Sequence, residues 1–349
     1  MLNQKLDNFE IFRWNEYRDI RIKGKPYKIN RSPYLDIVLT DRCNRACKFC
    51  IADLVDKKEE CDVDVFENQI DFAIDHYGVQ EVLLVGGEPT LSKNLQKILE
   101  ILWTRKLKKI CITTNGDKLK NADFRQALLP FVTHINLSLM HTDIQKQMEI
   151  GVRKKHITEE DLSEIYNDCK HYGTQLRINC NIFKGNNETP QEAISFYSEV
   201  LDYCDSVKFS PLLRVDDFSV ANVVTEFVKN HIMTSQEYEH FFRSTEAEFS
   251  DNPIVRNPLT FGFVEYSMIC ADTPIILNYN HRGRMAEFAK TGHINNLKLL
   301  TNGNLSLSWN KGDDSHVIRS LEDYEDCDHN FEFGLEGECE CTICGKEAE

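Results

Sequence analysis

Between residues 35 and 211, short apolar runs and amphipathic stretches replace one another through six strand-helix units, which leaves few architectures open to the chain. The runs Leu35–Thr40, Glu81–Val85, Lys109–Thr114, His134–Leu139, Gln175–Phe183 and Ser206–Pro211 have the length and apolar content of strands. Between them, Val63–Tyr77, Asn94–Arg105, Asp123–Leu129, Glu159–His171 and Gln191–Tyr203 carry apolar residues at helical spacing, and Gly78 stands where the first of these helices should stop. The pattern predicts an α/β fold with a parallel sheet, wrapped as an open or closed barrel. In such sheets reactive groups sit on loops beyond the carboxyl ends of the strands. The unusual polar motifs fall there. Cys43 to Cys50 follow strand one, Gly86-Gly87-Glu88-Pro89 follow strand two, and Thr113-Thr114-Asn115-Gly116 close strand three. Ser138 lies near the end of strand four, and Asn179 and Asn181 lie along strand five.

Composition narrows the partners. The 349 residues are 41% hydrophobic, enough for a sizeable core, and 56 acidic against 41 basic side chains give a net charge of −15. Such a surface disfavours tracking a phosphate backbone, so a peptide or small molecule is expected rather than a nucleic acid. The basic segment Arg21–Lys28 is short and reads as a solvated face. Thirteen cysteines, no basic-then-apolar leader at Met1-Leu2-Asn3-Gln4-Lys5 and no apolar run long enough to span a membrane lead to the expectation of a cytoplasmic protein that uses thiols for metal or redox work.

The sharpest motif is Cys43-Asn44-Arg45-Ala46-Cys47-Lys48-Phe49-Cys50. A loop this tight can aim three thiolates at one place. A structural zinc site wants four protein ligands and an iron–sulfur cube has four corners, so three local cysteines either belong to a zinc knuckle or leave one corner open. Gly86 and Gly87 permit close backbone approach, and Glu88 can accept a charge-assisted hydrogen bond.

Taken together and in this order, the Cys-x3-Cys-x2-Cys loop and Gly86-Gly87-Glu88-Pro89 resemble the radical S-adenosylmethionine (SAM) enzymes. The resemblance implies a partial (β/α)6 radical SAM barrel with a carboxyl-terminal extension: residues 1–34 as an N-terminal extension, 35–212 as the core barrel, and 213–349 as a substrate-covering region with a Cys-rich acidic tail. It implies a [4Fe–4S] cluster on Cys43, Cys47 and Cys50, with SAM on the open iron. The loop at Gly86, Gly87 and Glu88 would meet the SAM amino group. Thr114, Ser138, Asn179 and Asn181 would furnish the rest of the SAM site, Ser138 being otherwise a buried hydroxyl. Phe49 would lie beside the adenine or pack in the core. The implied chemistry is one-electron reduction of the cluster by a donor such as flavodoxin or ferredoxin, then cleavage of SAM to methionine and a 5′-deoxyadenosyl radical that takes a hydrogen atom from a substrate. A non-catalytic metal-binding or regulatory protein on a degenerate barrel is the alternative, opposed by the intact Cys43, Cys47, Cys50 and Glu88.

Within that superfamily, Tyr34–Asn44 and Arg177–Glu188 resemble the GTP cyclase of molybdenum-cofactor biosynthesis, with a weaker echo at Asn295–Leu305. The chain departs from it where substrate is held. Asp36 and Leu83 stand where the cyclase has arginines, and only Arg177 keeps a cation at the matching strand-five position. An aspartate there should repel a triphosphate, so the chain is expected not to cyclise GTP. The cyclase's second cluster pattern is also missing, since residues 213–326 hold only Cys270. Cys327, Cys339, Cys341 and Cys344, with His329 nearby, instead form a group that can bind zinc or a second iron–sulfur cluster. The opposing reading is a disordered tail, because residues 321–349 hold eleven acidic residues and one lysine. Cys61, Cys111, Cys169, Cys180 and Cys204 read as small buried residues.

Overall fold

The computed structural model describes residues 17–50, 59–152, 156–212, 223–248, 254–258, 264–270, 273–279, 292–309, 311–312 and 314–321. All six strands expected between residues 35 and 211 are present. They are β2 (Lys25–Val38), β3 (Glu81–Val85), β4 (Lys109–Thr114), β5 (His134–Ser138), β6 (Gln175–Ile182) and β7 (Ser206–Pro211), paired in chain order and all parallel. Between them run α1 (Val63–Tyr77), α2 (Leu95–Thr104), α3 (Ala122–Leu128), α4 (Ile144–Gly151), α5 (Glu159–Tyr172) and α6 (Pro190–Val200).

Local chemistry fixes where these helices begin and end. Asp62 caps α1 by accepting from the Asp64 and Val65 N–H groups, and Gly78 ends it in a left-handed turn. Thr158 with Asp161 and Thr189 with Glu192 form reciprocal capping boxes at the starts of α5 and α6. Helix α4 was not foreseen, because Ile-Gln-Lys-Gln-Met-Glu-Ile-Gly carries few apolar residues.

Side chains alternate along each strand, and the two sets have different neighbours. Leu35, Ile37, Val82, Leu84, Ile110, Ile112, Ile135, Leu137, Leu176, Ile178, Val207 and Phe209 pack with Phe66, Ile70, Ile98, Leu102, Ile165 and Phe196 of the helices in one core. The other set points to the helix-free face and is largely polar: Tyr34 and Asp36, Glu81, Lys109, His134 and Asn136, Arg177 and Asn179, Lys208. The Lys109 ammonium lies 5.8 Å from the Tyr34 ring centre, across β3, which puts these side chains on one surface.

The flanking segments join the same sheet. Strand β1 (Tyr17–Ile22) pairs antiparallel with the first half of β2 through a two-residue turn in which Lys23 and Gly24 both have positive φ, 49° and 75°. Residue 34 therefore lies inside one continuous strand. Downstream, α7 (Val223–His231) and α8 (Ser235–Glu248) precede β8 (Ile254–Pro258), β9 (Val264–Cys270) and β10 (Thr273–Tyr279). Then come β11 (His293–Leu299), β12 (Leu305–Ser306) and β13 (Val317–Arg319). Strand β10 adds parallel to β7 and β11 adds parallel to β2, so the carboxyl-terminal third extends both edges of the central sheet. The final order is β13-β12-β11-β2-β3-β4-β5-β6-β7-β10-β9-β8, an open sheet. Among the described residues no helix is long and apolar enough to cross a membrane.

Candidate SAM and cluster site

The cluster loop is tied to four neighbouring segments. Its entry carries the closest approach. Gly87 N–H donates to the Thr40 carbonyl and Glu88 N–H to the Arg42 carbonyl, both at 2.7 Å. A Cβ on Gly86 would lie 2.3 Å from the Thr40 oxygen, and one on Gly87 would lie 2.4 Å from the Arg42 oxygen. These glycines were expected to make room for SAM; on the side where a Cβ would project, the space is filled by the chain's own backbone.

Glu88 then fastens this loop to the end of β4. It is 2% exposed. One carboxylate oxygen accepts from the Thr90 N–H at 3.2 Å and from the Thr90 and Thr114 hydroxyls at 2.6 Å each, while the other accepts from the Asn115 N–H at 2.7 Å. Burial pushes the carboxyl upward in pKa and these donors oppose it. Glu88 and Thr114 thus have a structural task that the motif alone did not reveal.

A second set of residues holds the loop from beneath, and the sequence reasoning missed it. Arg45, midway between Cys43 and Cys47, turns its guanidinium onto the β4 turn, donating to Asp117 at 2.8 Å and to the Asn115 carbonyl at 3.0 Å. Asn44 donates to Asp117 at 2.9 Å and accepts from the Asn115 side chain at 2.8 Å. On the far side, Ala46 N–H and Lys48 N–H donate to the Gly151 and Ile150 carbonyls at the end of α4. At the entry, buried Asp41 accepts from Lys311 and from Thr301, bringing the carboxyl-terminal region to the base of the loop. The one readable sign of this framework was its position, flanking the cysteines and closing Thr-Thr-Asn-Gly.

The three thiols are half-buried and in no disulfide. Burial pushes Cys47 up to about 12, with Cys50 adding to the shift and Arg45 opposing it. Cys43 is raised for the same first reason, against the Arg45 N–H that donates to its Sγ at 3.4 Å. The thiols therefore lie within electrostatic reach of one another, and iron loading would release their protons. Among the described residues no three His, Cys, Asp or Glu side chains converge as single-ion ligands.

Phe49 packs in a small cluster with Ile150, Phe183 and Phe227, its ring centre 5.7 Å from that of Phe183. Ser138 and Asn179 are in register on β5 and β6, half-buried on the helix-free face. The Asn179 Oδ1 is buried with no hydrogen-bond partner, so a donor from a bound group fits it. Asn181 lies farther along the same strand face. Cys327, Cys339, Cys341 and Cys344 lie outside the described residues, whereas Cys61, Cys111, Cys169, Cys180 and Cys204 are all buried as expected.

Asp36 does not stand alone: β11 sets Lys298 opposite it in register, and Asn296 donates to it at 2.8 Å. Burial brings the Lys298 ammonium down to about 8, with Asp36 acting against the shift. Asp36 thus forms half of a balanced pair rather than a simple reversal of charge.

Comparison with known proteins agrees with this geometry. The Radical SAM superfamily model matches residues 37–198. The chain is 26% identical over 244 residues to GTP 3′,8-cyclase of Aquifex aeolicus, covering 67% of this chain and 69% of that one. It is 27% identical over 188 residues to the enzyme of the same name from Aliarcobacter butzleri, covering 50% and 53%. In fold it resembles Streptococcus suis SuiB bound to SAM, with a TM-score of 0.57, 17% identity, and coverage of 85% of this chain and 66% of that one. It thus spans between about half and two thirds of the length of these relatives.

Two measurements test this framework. Gly87→Ala should cost about 3 kcal/mol or more in urea unfolding of the cluster-free protein, since only backbone lies in the way. Gly151→Ala, whose Cβ would rest 3.7 Å from the Arg45 side chain, should be nearly neutral. A loss under about 1 kcal/mol at Gly87 would mean that the loop can withdraw from Arg42. For Lys298 the unfolded chain keeps its proton up to the ordinary lysine value while the folded chain releases it near 8. Wild type should therefore gain stability over Lys298→Met as pH rises from about 8 to about 10.5, by up to about 1.4 kcal/mol per pH unit. A difference flat across that window would show that Lys298 titrates normally.

The matched segment, the sheet and the cysteine loop agree: residues 37–198 form a radical SAM domain, and the chain is similar at low identity to the GTP 3′,8-cyclases.

Proposed function

We propose that the protein binds a [4Fe–4S] cluster on Cys43, Cys47 and Cys50 and SAM at the open iron, and acts on a polar organic substrate, a peptide or a small molecule, held against the helix-free face. The observation that carries this reading is the seating of the cysteine loop at the carboxyl end of the strands, directly beside the β3 loop and the β4 turn. When bound, the cluster and SAM supply reductive cleavage to methionine and a 5′-deoxyadenosyl radical that removes a substrate hydrogen. The electron comes from a small donor such as flavodoxin or ferredoxin. Ser138 and Asn179 orient the SAM nucleoside, Asn179 Oδ1 taking the donor that it lacks within the protein. Phe49, next to the third cysteine, walls the adenine side together with Phe183.

The substrate is not expected to be GTP. Lys298 is balanced by Asp36, and Leu83, in register with Asp36, adds no charge, so this part of the face lacks the surplus of cations that a triphosphate needs. In the same reading the tail cysteines Cys327, Cys339, Cys341 and Cys344 hold a second metal, zinc or an iron–sulfur cluster.

Anaerobic incubation of the reconstituted protein with SAM and dithionite should yield 5′-deoxyadenosine, and Cys47→Ala should yield none. Absence of product from a fully loaded wild type would favour a binding or regulatory role. Addition of GTP should leave no cyclised nucleotide, and its appearance would overturn the substrate assignment. Iron and zinc counts on the same preparations should fall when Cys339, Cys341 and Cys344 are changed together to alanine; an unchanged count removes the second site.

A further inference from the structure

The Arg45–Asp117 pair has no evident reason to be buried. Its two side chains are 8% and 5% exposed, and withdrawing both charges from water costs more than an apolar pair of the same size would. Nor is a charge needed at this position to close the loop, because the Asn44 and Asn115 side chains already bridge the same two segments at 2.8 Å. What the pair does that an apolar one could not is place a fixed cation, two residues from Cys43 and two from Cys47, in a poorly screened setting.

We propose that this buried pair sets the reduction potential of the cluster held by Cys43, Cys47 and Cys50, with Arg45 raising the potential and Asp117 offsetting it; the inference rests on the cluster reading above. Reduction adds one electron to an assembly that three thiolates already make negative. A nearby cation stabilises the reduced form more than the oxidised form, and a nearby anion does the reverse. The geometry gives the two charges unequal weight. Arg45 belongs to the cluster loop itself, and its N–H donates to the Cys43 Sγ. Asp117 is one step removed and meets the loop through Arg45 and Asn44. In this reading the cluster lies nearer the positive end of the pair, because Arg45 is on the cluster's own loop and Asp117 is not. Neither residue meets substrate in this scheme: both act through the cluster.

The two charges give predictions of opposite sign, which a purely structural role does not. Wild type, Arg45→Gln, Asp117→Asn, the double variant and Arg45→Lys would be reconstituted anaerobically. Iron would be counted, and the midpoint potential read by redox titration followed by electron paramagnetic resonance, without SAM. Arg45→Gln should shift the potential negative and Asp117→Asn should shift it positive. The double variant should fall between the two, and Arg45→Lys should stay near wild type. Shifts of Arg45→Gln and Asp117→Asn in the same direction, or a double variant more extreme than either, would overturn the inference while leaving the cluster reading intact. If Asp117→Asn fails to load, Arg45→Lys against Arg45→Gln still decides, because the charge-keeping variant must lie at the higher potential. A wild type that takes up no cluster would sink the reading and the inference together.

Discussion

The site depends on the contact of two stretches of backbone, Gly86-Gly87 against Thr40–Arg42. Nothing larger than hydrogen fits between them on the Cβ side, with Thr40 and Arg42 carbonyl oxygens at 2.3 and 2.4 Å from where a Cβ would be. This contact fixes the height of the β3 loop relative to the entry of the cysteine loop. Glu88 then turns a close approach into a rigid joint, since its carboxylate draws donors from Thr90, Thr114 and Asn115 and so binds the end of β4 into the same block. Each charge-assisted bond is worth about 1.5–3 kcal/mol, and removing any donor would leave a buried acceptor unsatisfied. Loops normally form the soft part of a fold. Here three successive loops stiffen one another, which holds thiols in place before any metal arrives.

What was legible in the sequence followed from local periodicity, and what was not followed from distance along the chain. The strands from Leu35 to Pro211 and the helices between them announced themselves through apolar spacing, and the cysteines through their interval. Helix α4 was hidden because Ile144–Gly151 presents a mostly polar surface and is held in part by the cysteine loop that donates to its last carbonyls. The hairpin at Lys23-Gly24, which leads into a strand running from Lys25 to Val38, was hidden because its turn lacks the usual Asn-Gly or Asp-Gly. The glycines of the β3 loop were recognised as a place of close approach, and on their Cβ side the neighbour is the Thr40–Arg42 backbone. Arg45 and Asp117 were invisible as a pair for a plain reason. Seventy-two positions separate them, and only the seating of one rim loop on another makes them neighbours.

The carboxyl-terminal third illustrates the same limit on a larger scale. Read alone, residues 293–321 are a short run of modest strands. In the fold, β11 lies beside β2 and delivers Lys298 and Asn296 to Asp36, while Thr301 and Lys311 reach Asp41. One segment therefore touches Asp36 on the helix-free face and Asp41 at the cluster entry just beyond the carboxyl end of β2. A covering role for this third, expected from its position after the barrel, understates what it does, because it completes the sheet.

That placement bears on how substrate preference could change while the cofactor end stays constant. On the rim, Asn44, Arg45, Ala46 and Lys48 are each hydrogen-bonded to another segment, so substitution there disturbs several contacts at once. On the helix-free face the constraint is looser and chiefly electrostatic. Asp36 without Lys298 would be a carboxylate on a largely buried surface, and Lys298 without Asp36 a fully buried ammonium whose pKa is already depressed. The two can be exchanged as a pair for other balanced combinations with little effect on the fold, yet each exchange changes the charge that a ligand meets. Around Asp36 the surface combines a carboxylate, an ammonium in register with it and the apolar Leu83, so shape and hydrogen bonding weigh more there than net charge. By this reasoning, Asp36 is accommodated on this buried surface because β11 carries a cation in register with it.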